Sequence, residues 1–243
     1  MKIVVLTLFK EMYDGVLNSS IIKRIIEKGI AEVELVDIRD YSKDKHRHVD
    51  DTPYGGGAGM LMKVDVVAEA IKANKQENTH VLLTSPKAKP LCQDDLLRLS
   101  KLDNIMIVCG HYEGIDYRIE DYCDELVSIG DYVLTGGELP SMVLIDGILR
   151  LLDEGISSDS LLEESYTNGL LEYPQYTRPY EYDGKVVPEV LANGNHKQIR
   201  DYKLRNALKQ TYLHRKDLLD KKELTEEEKK ILEEIKKENK YGY

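Results

Sequence analysis

The chain has 243 residues, of which 42% are hydrophobic and 32% charged, so it can bury a sizeable core as one large domain or two small ones. Its formal net charge of −10 argues against a protein that coats DNA or RNA. Residues 192–222 depart from that balance, because nine Lys and Arg stand there against three acids. This segment predicts a local contact with a polyanion, and a solvated helix face is the alternative.

The three cysteines, Cys92, Cys109 and Cys123, contain no Cys-x-x-Cys pair, and no Cys/His cluster has the spacing of zinc ligands. They predict buried free thiols in a reducing compartment. The N-terminal apolar run, residues 3–9, is too short for a signal peptide. No apolar run reaches the ~20 residues that span a bilayer. The sequence therefore predicts a cytoplasmic protein without a membrane segment.

Apolar runs alternate with amphipathic segments over the first 152 residues. The continuous apolar runs predict buried parallel strands, and segments with apolar residues at helical spacing predict helices. Strands that alternate with helices indicate an α/β fold with a mostly parallel sheet. The predicted strands are residues 3–9, 33–38, 80–84, 104–109 and 125–129, and the predicted helices are residues 16–28, 64–74, 93–101, 115–123 and 138–152.

A long loop, residues 39–62, separates the second predicted strand from the next helix and contains four glycines between Gly55 and Gly59. Loops of this length inside a compact domain are usually functional or disordered. The glycines do not form a dinucleotide-binding fingerprint, which would require glycine at Met60 and a strand directly before the motif. We interpret the segment as a mobile, glycine-hinged lid, and a disordered linker is the alternative.

Turn and polar residues follow the third, fourth and fifth predicted strands. In parallel sheets, ligands bind beyond the carboxyl ends of the strands. The stretch Ser128–Pro140 adds two glycine breaks, at Gly130 and at Gly136-Gly137, where bare backbone would come close to another group. Glu138 then opens a helix, whose first N–H groups attract negative charge. The sequence therefore predicts a cradle for a polar small molecule at this edge of the sheet.

The last third of the chain has a different character. Residues 153–168 are polar and serine-rich without a core pattern, which is typical of a linker. A helix is predicted at residues 196–210, and a second helix follows Thr225, where Thr225 and Glu228 fit a capping box. We expect three regions: an α/β domain at 1–155, a flexible linker at 156–168 and a small all-α domain at 169–243.

Four motifs occur in order and together span nearly the whole chain: Val49–Met60 (VDDTPYGGGAGM), Cys109–Asp116 (CGHYEGID), Ile129–Pro140 (IGDYVLTGGELP) and Gly169–Pro179 (GLLEYPQYTRP). On these motifs the chain resembles the bacterial tRNA (guanine-N1)-methyltransferases of the SPOUT, or trefoil-knot, class. The resemblance implies a deep trefoil knot in the α/β domain, an exception to the rule that chains do not thread loops. It implies S-adenosylmethionine as the cofactor, in a bent conformation, and an obligate homodimer with shared active sites. The implied substrate is tRNA with guanine at position 37, preceded by another guanine.

The resemblance also implies a cofactor pocket made by the strand ends and the loops after them. Glu113 matches an acid near the methionine part of the cofactor, where a carboxylate suits the sulfonium or the ammonium. Leu83 stands where the family often has tyrosine, so this contact would be apolar, and His111 stands where many members have arginine and is given no catalytic role. The predicted cofactor-binding residues are Leu83, Thr84, Ser85, Pro86, Gly110, Tyr112, Glu113, Ser128, Ile129, Gly130, Tyr132, Leu134, Gly136, Gly137 and Pro140.

Methylation of guanine at N1 needs a base, because that nitrogen carries a proton, and a cation near O6 would stabilise the charge that develops. The resemblance implies Glu164 as the base, at a position where the family commonly has aspartate; Glu163 and Asp159 compete for the role. Arg150 matches the family arginine at O6, with a surface salt bridge as the alternative. The resemblance also allows Mg²⁺, although no residues here form a recognisable magnesium motif.

Other basic residues are expected to serve the RNA. The Lys and Arg of residues 192–222, in a C-terminal domain that would hold the tRNA, are expected to contact phosphates, and Arg178 is a further candidate. His46 and His48 are interpreted as lid or RNA contacts rather than metal ligands. Two rival hypotheses are a knotted methyltransferase for another RNA position and a non-catalytic RNA-binding relative. A nicotinamide oxidoreductase is the weakest rival, because its fingerprint is absent.

Overall fold

The computed structural model describes residues 1–152 and 164–240, and the chain divides into two compact units, Met1–Ile156 and Ser157–Tyr243. This division lies beside the linker predicted at residues 156–168. That linker stays a prediction, because residues 153–163 lie outside the described ranges. Within those ranges no helix is both long enough and apolar enough to cross a membrane.

The first unit is built on a five-stranded sheet whose neighbouring strands are all parallel. In chain order the strands of this unit are β1 (Lys2–Thr7), β2 (Glu32–Asp37), β3 (Asp50–Asp51), β4 (Leu61–Met62), β5 (Thr79–Thr84), β6 (Asn104–Val108) and β7 (Glu125–Val127). The sheet has the order β2-β1-β6-β5-β7, and β3 pairs with β4 separately. The central strands are apolar throughout because both of their faces are covered. The predicted α/β class with a mostly parallel sheet is confirmed.

Helices cover both faces of this sheet, and the side chains of β1 alternate between two cores. Ile3 and Val5 pack with the helices α2 (Ser20–Glu27), α4 (Gln93–Leu99) and α5 (Glu138–Leu149), whereas Val4 and Leu6 pack with α3 (Val64–Asn74). Since α5 packs against β1 but follows the edge strand β7 in sequence, residues 128–137 cross the ends of the two strands between them. The helices are α1 (Asp14–Leu17), α2 (Ser20–Glu27), α3 (Val64–Asn74), α4 (Gln93–Leu99) and α5 (Glu138–Leu149).

Two predicted helices are replaced by different local structure, whereas three others differ only in where they end. The helix predicted at residues 16–28 is divided into α1 and α2 after Asn18, whose side-chain amide donates to the Asp14 carbonyl at 2.9 Å. Such side-chain bonds to the backbone compete with the helical pattern. The helix predicted at residues 115–123 is a short 3₁₀ helix, Tyr117–Tyr122.

In the described part of the second unit the regular elements are helices and one hairpin. Its helices are α6 (His196–His214), α7 (Lys216–Lys221) and α8 (Glu226–Lys240), with a 3₁₀ turn at Glu189–Leu191. The strands β8 (Glu181–Tyr182) and β9 (Lys185–Val186) form an antiparallel pair. Asp183 and Gly184 at its tip both have positive φ, as an Asp-Gly hairpin turn requires. The predicted all-α domain is therefore incomplete, because this unit also contains a β-hairpin. The Asp-Gly dipeptide in the sequence is the signal that could have predicted it.

The capping box predicted before the last helix is confirmed. The Thr225 N–H donates to Glu228 Oε2 at 2.7 Å, and the Glu228 N–H donates to Thr225 Oγ1 at 3.2 Å. This reciprocal pair fixes the start of α8. The helix packs on α6 around a small core of Leu170, Leu208 and Ile235.

Candidate functional site

Three parallel strands end at the same edge of the sheet. Leu83 of β5 stands level with Val108 of β6, and Thr84 stands level with Val127 of β7. The Ser85 N–H donates to the Val127 carbonyl at 2.8 Å, so the chain beyond β5 stays attached to β7. The segments after these three strands therefore lie side by side, where ligands bind in open α/β sheets.

Gly137 marks a very close approach between the loop after β7 and the ends of β5 and β6. Its N–H donates to the Gly110 carbonyl at 2.7 Å. A Cβ at this position would lie 2.1 Å from Thr84 Oγ1 and 2.8 Å from Cys109 Cα, so only glycine fits. Gly130, the other break in the loop, has φ of +155°, which also favours glycine. The two predicted glycine breaks therefore have separate structural causes.

These segments enclose a cavity of about 330 Å³, a volume within the range of small-molecule sites. All fifteen residues predicted from the sequence to bind a cofactor line this one cavity. They are Leu83, Thr84, Ser85, Pro86, Gly110, Tyr112, Glu113, Ser128, Ile129, Gly130, Tyr132, Leu134, Gly136, Gly137 and Pro140. Their contact with a cofactor itself stays a prediction.

Other residues that the sequence prediction did not include line the same cavity: Lys87, His111, Gly114, Ile115, Glu120, Val127, Val133 and Thr135. Most of them are chain neighbours of predicted residues, so contiguity with the motifs could have identified them. Glu120 is different, because it lies in the 3₁₀ helix Tyr117–Tyr122, away from the predicted residues, and forms an ion pair with Lys87. No sequence pattern signals that pairing.

The cavity wall is largely apolar and carries little charge. Pro86, Ile129 and Leu134 contribute apolar surface. The Lys and Glu side chains in the wall are Lys87, Glu113 and Glu120. Because Lys87 and Glu120 neutralise each other, Glu113 leaves a local excess of one negative charge. Such a wall suits a ligand with a flat apolar part and a positive charge.

The long loop after β2 is anchored at this cavity. It begins as a 3₁₀ turn, Ile38–Tyr41, and its far end is closed by the pairing of β3 with β4. The Met60 N–H donates to Glu113 Oε2 at 2.6 Å, and the Met62 N–H donates to the Gly114 carbonyl at 2.9 Å. This anchoring favours the lid interpretation over a disordered linker, although movement of the lid stays a prediction.

Tyr112 combines an uncommon backbone with a place in the cavity wall. Its φ is +58°, a left-handed conformation that costs energy for a residue with a side chain. Partial burial, and then the negative charge of Asp50, raise the pKa of its phenol, so the hydroxyl stays protonated at neutral pH. Since Asp50 belongs to β3, this contact also connects the base of the long loop to the cavity.

The two predicted catalytic residues lie in different units, and neither lines the cavity. Arg150 follows the last residue of α5 and is half-buried, with its N–H donating to the Asp146 carbonyl at 3.1 Å. Glu164 belongs to the second unit and is also half-buried. The competing acids, Glu163 and Asp159, lie outside the described residues. The catalytic roles therefore stay predictions.

A buried polar network lies beneath the Gly137 crossing. The Tyr13 hydroxyl is 2.6 Å from Ser141 Oγ and 3.4 Å from Cys109 Sγ. Burial raises the pKa of the Tyr13 phenol, and it raises the pKa of the Cys109 thiol to about 12. All three cysteines are free, but Cys92 is exposed, so the expectation of buried thiols is wrong at that position.

The described residues contain no group of three or more His, Cys, Asp or Glu that could hold a metal ion. His48 contacts Asp44 through Nδ1, and its ring lies 5.7 Å from that of His46. These histidines are consistent with the lid interpretation.

A parallel α/β sheet with a weakly charged cavity beyond three of its strand ends defines a small-molecule-binding protein of the open α/β class. The family model described as tRNA (guanine-1)-methyltransferase TrmD matches residues 1–221. The chain therefore belongs to the tRNA (guanine-1)-methyltransferase family, as the four sequence motifs predicted.

Full-length relatives agree with this assignment. The chain is 52% identical over 237 residues to a tRNA (guanine-N(1)-)-methyltransferase of Syntrophomonas wolfei, with 97% of each chain covered. It is 46% identical over 239 residues to a protein of the same name from Dictyoglomus turgidum, with 98% of each covered. For the Lactobacillus helveticus protein of that name the identity is 50% over 240 residues, covering 98% of this chain and 99% of the relative.

Proposed function

We propose that this chain transfers a methyl group from S-adenosylmethionine to N1 of guanine in tRNA, at the position 3′ of the anticodon (position 37). Membership of the tRNA (guanine-1)-methyltransferase family over residues 1–221 carries this proposal. Relatives that are about half identical and covered almost end to end support it. A reaction on tRNA would take place in the cytoplasm.

The cavity has properties that fit the cofactor. Apolar wall residues such as Pro86, Ile129 and Leu134 suit an adenine ring, and Glu113 suits the positive charge of a sulfonium or an ammonium. The cofactor, when bound, supplies a methyl group that is already activated, so the protein contributes mainly alignment. The walls position the cofactor, while the anchored loop at Met60 and Glu113 limits the access of water.

Two side chains prepare the guanine. Glu164 accepts the proton that guanine N1 must lose before it can attack, which a carboxylate can do from hydrogen-bond distance. The Arg150 guanidinium donates hydrogen bonds toward O6 and stabilises the negative charge that develops there. The family's usual base is aspartate, so the longer Glu164 side chain must adopt a conformation that shortens its reach.

The sheet unit contains a trefoil knot in this proposal. Residues 128–137 cross the carboxyl ends of β5 and β6 before α5 packs against β1. A Cβ on Gly137 would lie 2.1 Å from Thr84 Oγ1 and 2.8 Å from Cys109 Cα, so the backbone of this segment lies close to the ends of β5 and β6. Both features are what a segment passing through a loop would require.

The working enzyme is a homodimer in this proposal, with each active site shared between two copies. Leu139 and Val143 lie one turn apart on α5 and are 48% and 47% exposed, although Met142, Leu144, Ile145, Ile148 and Leu149 of this helix are buried. Val133 and Leu134, in the loop before α5, are 85% and 37% exposed. An apolar surface beside the cavity is suited to a second copy of the chain.

The second unit holds the tRNA. Several basic residues in 192–222 have acidic partners inside this unit: Arg205 contacts Glu234 and Glu238, Arg215 contacts Asp217, and Lys222 contacts Glu228. These three residues contribute less to phosphate binding than the sequence alone predicted. Lys197 and Arg200 are exposed at the start of α6 and are better placed to contact phosphates.

A methylation assay tests the function directly. We expect the chain, given S-adenosylmethionine and a tRNA with guanines at positions 36 and 37, to form N1-methylguanine that mass spectrometry detects at position 37. The same tRNA with adenine at position 37 is the control and should stay unmodified. Methylation of ribosomal RNA, or of a ribose hydroxyl, in place of this guanine would contradict the proposal.

Replacement of Glu164 by glutamine tests the base. Because general-base catalysis contributes about 10²–10⁴-fold, we expect Glu164→Gln to lower the single-turnover rate by at least about 100-fold. Calorimetry should find the affinity for S-adenosylmethionine nearly unchanged. Glu163→Gln and Asp159→Asn are matched controls, since these acids compete for the role. Full turnover in Glu164→Gln would assign the base to another residue.

A further inference from the structure

His111 has a buried nitrogen without a hydrogen-bond partner. Among the residues that the structure describes, its Nδ1 is a buried polar side-chain atom that neither donates nor accepts a hydrogen bond. It lies 3.6 Å from Oε2 of Glu138, a carboxylate that is itself only 2% exposed. The other oxygen of Glu138 accepts a hydrogen bond from the Thr7 hydroxyl at 2.9 Å. The imidazole and the carboxylate therefore face each other slightly beyond hydrogen-bond distance.

This pair lies directly behind the cavity wall. His111 forms an antiparallel bridge with Gly136, and both residues line the cavity. A Cβ on Gly136 would lie 2.4 Å from both Glu138 Oε2 and His111 Nδ1, so the wall packs against the pair with no space between them. Because Gly136 packs against both side chains, a change in the distance between Glu138 and His111 would also displace this part of the cavity wall.

Aromatic rings fix the imidazole from other sides. The ring of Phe9, the one phenylalanine of the chain, lies 4.8 Å from the His111 ring, and the Tyr112 ring meets it edge-on at 5.3 Å. The Arg39 guanidinium lies over Phe9 at 5.4 Å. The imidazole is thus held between Phe9, which follows β1, and its chain neighbour Tyr112, and its Nδ1 faces Glu138.

The charged and titratable groups around this pair bear on how the buried Glu138 carboxylate is stabilised. Burial disfavours a lone carboxylate, and an opposite charge within ~4–6 Å offsets that cost. The titratable neighbours Cys109 and Tyr13 have raised pKa values and stay protonated, so neither adds a second negative charge beside Glu138. Tyr112 is neutral as well, and Arg39 is separated from Glu138 by the Phe9 and His111 rings.

We propose that His111 is a positioning residue for the cofactor cavity: as an imidazolium it donates from Nδ1 to Glu138 and thereby holds Gly136-Gly137 in the conformation that forms the cavity wall. A neutral imidazole would leave either two acceptors facing each other, with its proton on Nε2, or an uncharged Nδ1–H donor, and both hold the carboxylate less strongly than the imidazolium does. Cofactor affinity should therefore fall as the pH rises through the range in which imidazoles lose their proton. The identity of the ligand rests on the proposed function.

The pairing can be measured without any cofactor. In a chain labelled with ¹⁵N at its six histidines, the His111 signals are assigned by their loss in His111→Asn. We expect Glu138→Gln, which keeps an oxygen to accept from Thr7, to move the titration midpoint of His111 to lower pH. The His80 signals are the internal reference, because His80 pairs with Glu125 away from the cavity. An unmoved His111 midpoint would overturn the proposal.

Calorimetry with S-adenosylmethionine then tests the effect on the cavity. We expect the wild-type affinity to fall between pH 6 and pH 8.5, and the affinities of His111→Asn and Glu138→Gln to fall less over the same range. The difference between wild type and variant should be about threefold to tenfold. Comparison with the variants removes the titration of the ligand itself, and His80→Asn should keep the wild-type profile. A wild-type profile in His111→Asn would overturn the positioning role. No binding by the wild type at any pH would instead refute the proposed cofactor, and the histidine titration would still decide the pairing.

Discussion

Cys109 lies at the end of β6, fully buried beneath the cavity, and its thiol makes stability depend on pH. Burial raises the pKa of this thiol to about 12, whereas in the unfolded chain it titrates near 9.0. Between these values the unfolded state binds fewer protons, so the free energy of unfolding falls as the pH rises. We expect the urea midpoint to be lower at pH 10 than at pH 8, and Cys109→Ala to remove part of that decrease.

A control is needed because the buried Tyr13 phenol, whose pKa is also raised, acts in the same direction. Cys92→Ala provides it, since this thiol is exposed rather than buried and its removal should leave the decrease unchanged. The contribution of Cys109 is at most about 1.4 kcal/mol per pH unit. If Cys109→Ala and Cys92→Ala behave alike, the thiol is not protected by the fold.

At the residue scale, the sequence predicted the cavity wall but not the side-chain pairs that support it. The wall follows from the chain direction, because strands that run parallel place all their carboxyl ends at one edge. The contacts of His111 with Glu138 and of Lys87 with Glu120 join residues far apart in sequence. Their side-chain types are ordinary, and only the folded geometry brings them together.

At the element scale, periodicity predicted regular segments well and interruptions poorly. The helix Val64–Asn74 was predicted to the residue, because its buried face is continuous. The break after Asn18 and the hairpin at Asp183-Gly184 depend on local side-chain and turn chemistry that hydrophobic periodicity does not register. The crossing of residues 128–137 over the strand ends was visible in sequence only as two glycine breaks.

Gly137→Ala tests that crossing. An added methyl group would lie 2.1 Å from Thr84 Oγ1 and 2.8 Å from Cys109 Cα, and backbone cannot move aside as a flexible side chain can. Overpacking of this kind typically costs about 1–3 kcal/mol. We expect a lower thermal midpoint in differential scanning calorimetry, and an affinity for S-adenosylmethionine at least about tenfold weaker, because the cavity wall must shift.

Gly15→Ala is the matched control for this substitution. Gly15 lies in α1, and a Cβ there meets nothing within 4 Å. Alanine is favoured over glycine inside a helix by roughly 0.5–1 kcal/mol, so this variant should be slightly more stable and bind the cofactor normally. The same substitution should thus lower the stability of the fold at Gly137 and raise it slightly at Gly15. Equal effects would mean that the approach at Gly137 is not tight.

At the scale of the whole molecule, the sequence pattern does not show how the proposed catalytic residues reach the cofactor cavity. The proposed base and the proposed cofactor cavity belong to different units, Glu164 to the second and the cavity to the first. Neither Arg150 nor Glu164 lines the cavity. The proposed homodimer, in which each active site is shared between two copies, would bring these groups to the cofactor, so a test of the oligomeric state is also a test of the proposed mechanism.

Val143→Asp tests this conclusion. Val143 is 47% exposed on α5, beside Leu139 and close in sequence to the exposed Val133. A charge placed in an apolar interface must be desolvated without a partner, which costs several kcal/mol. In sedimentation equilibrium we expect the wild type at twice the mass of the chain and Val143→Asp at the mass of one chain, with tRNA methylation lost and circular dichroism unchanged.

Tyr182→Asp is the control, because this side chain is 70% exposed in the second unit and its replacement should leave the dimer intact. A Val143→Asp protein that remains dimeric would move the interface elsewhere, and one that is monomeric yet fully active would show that a single chain completes its own site.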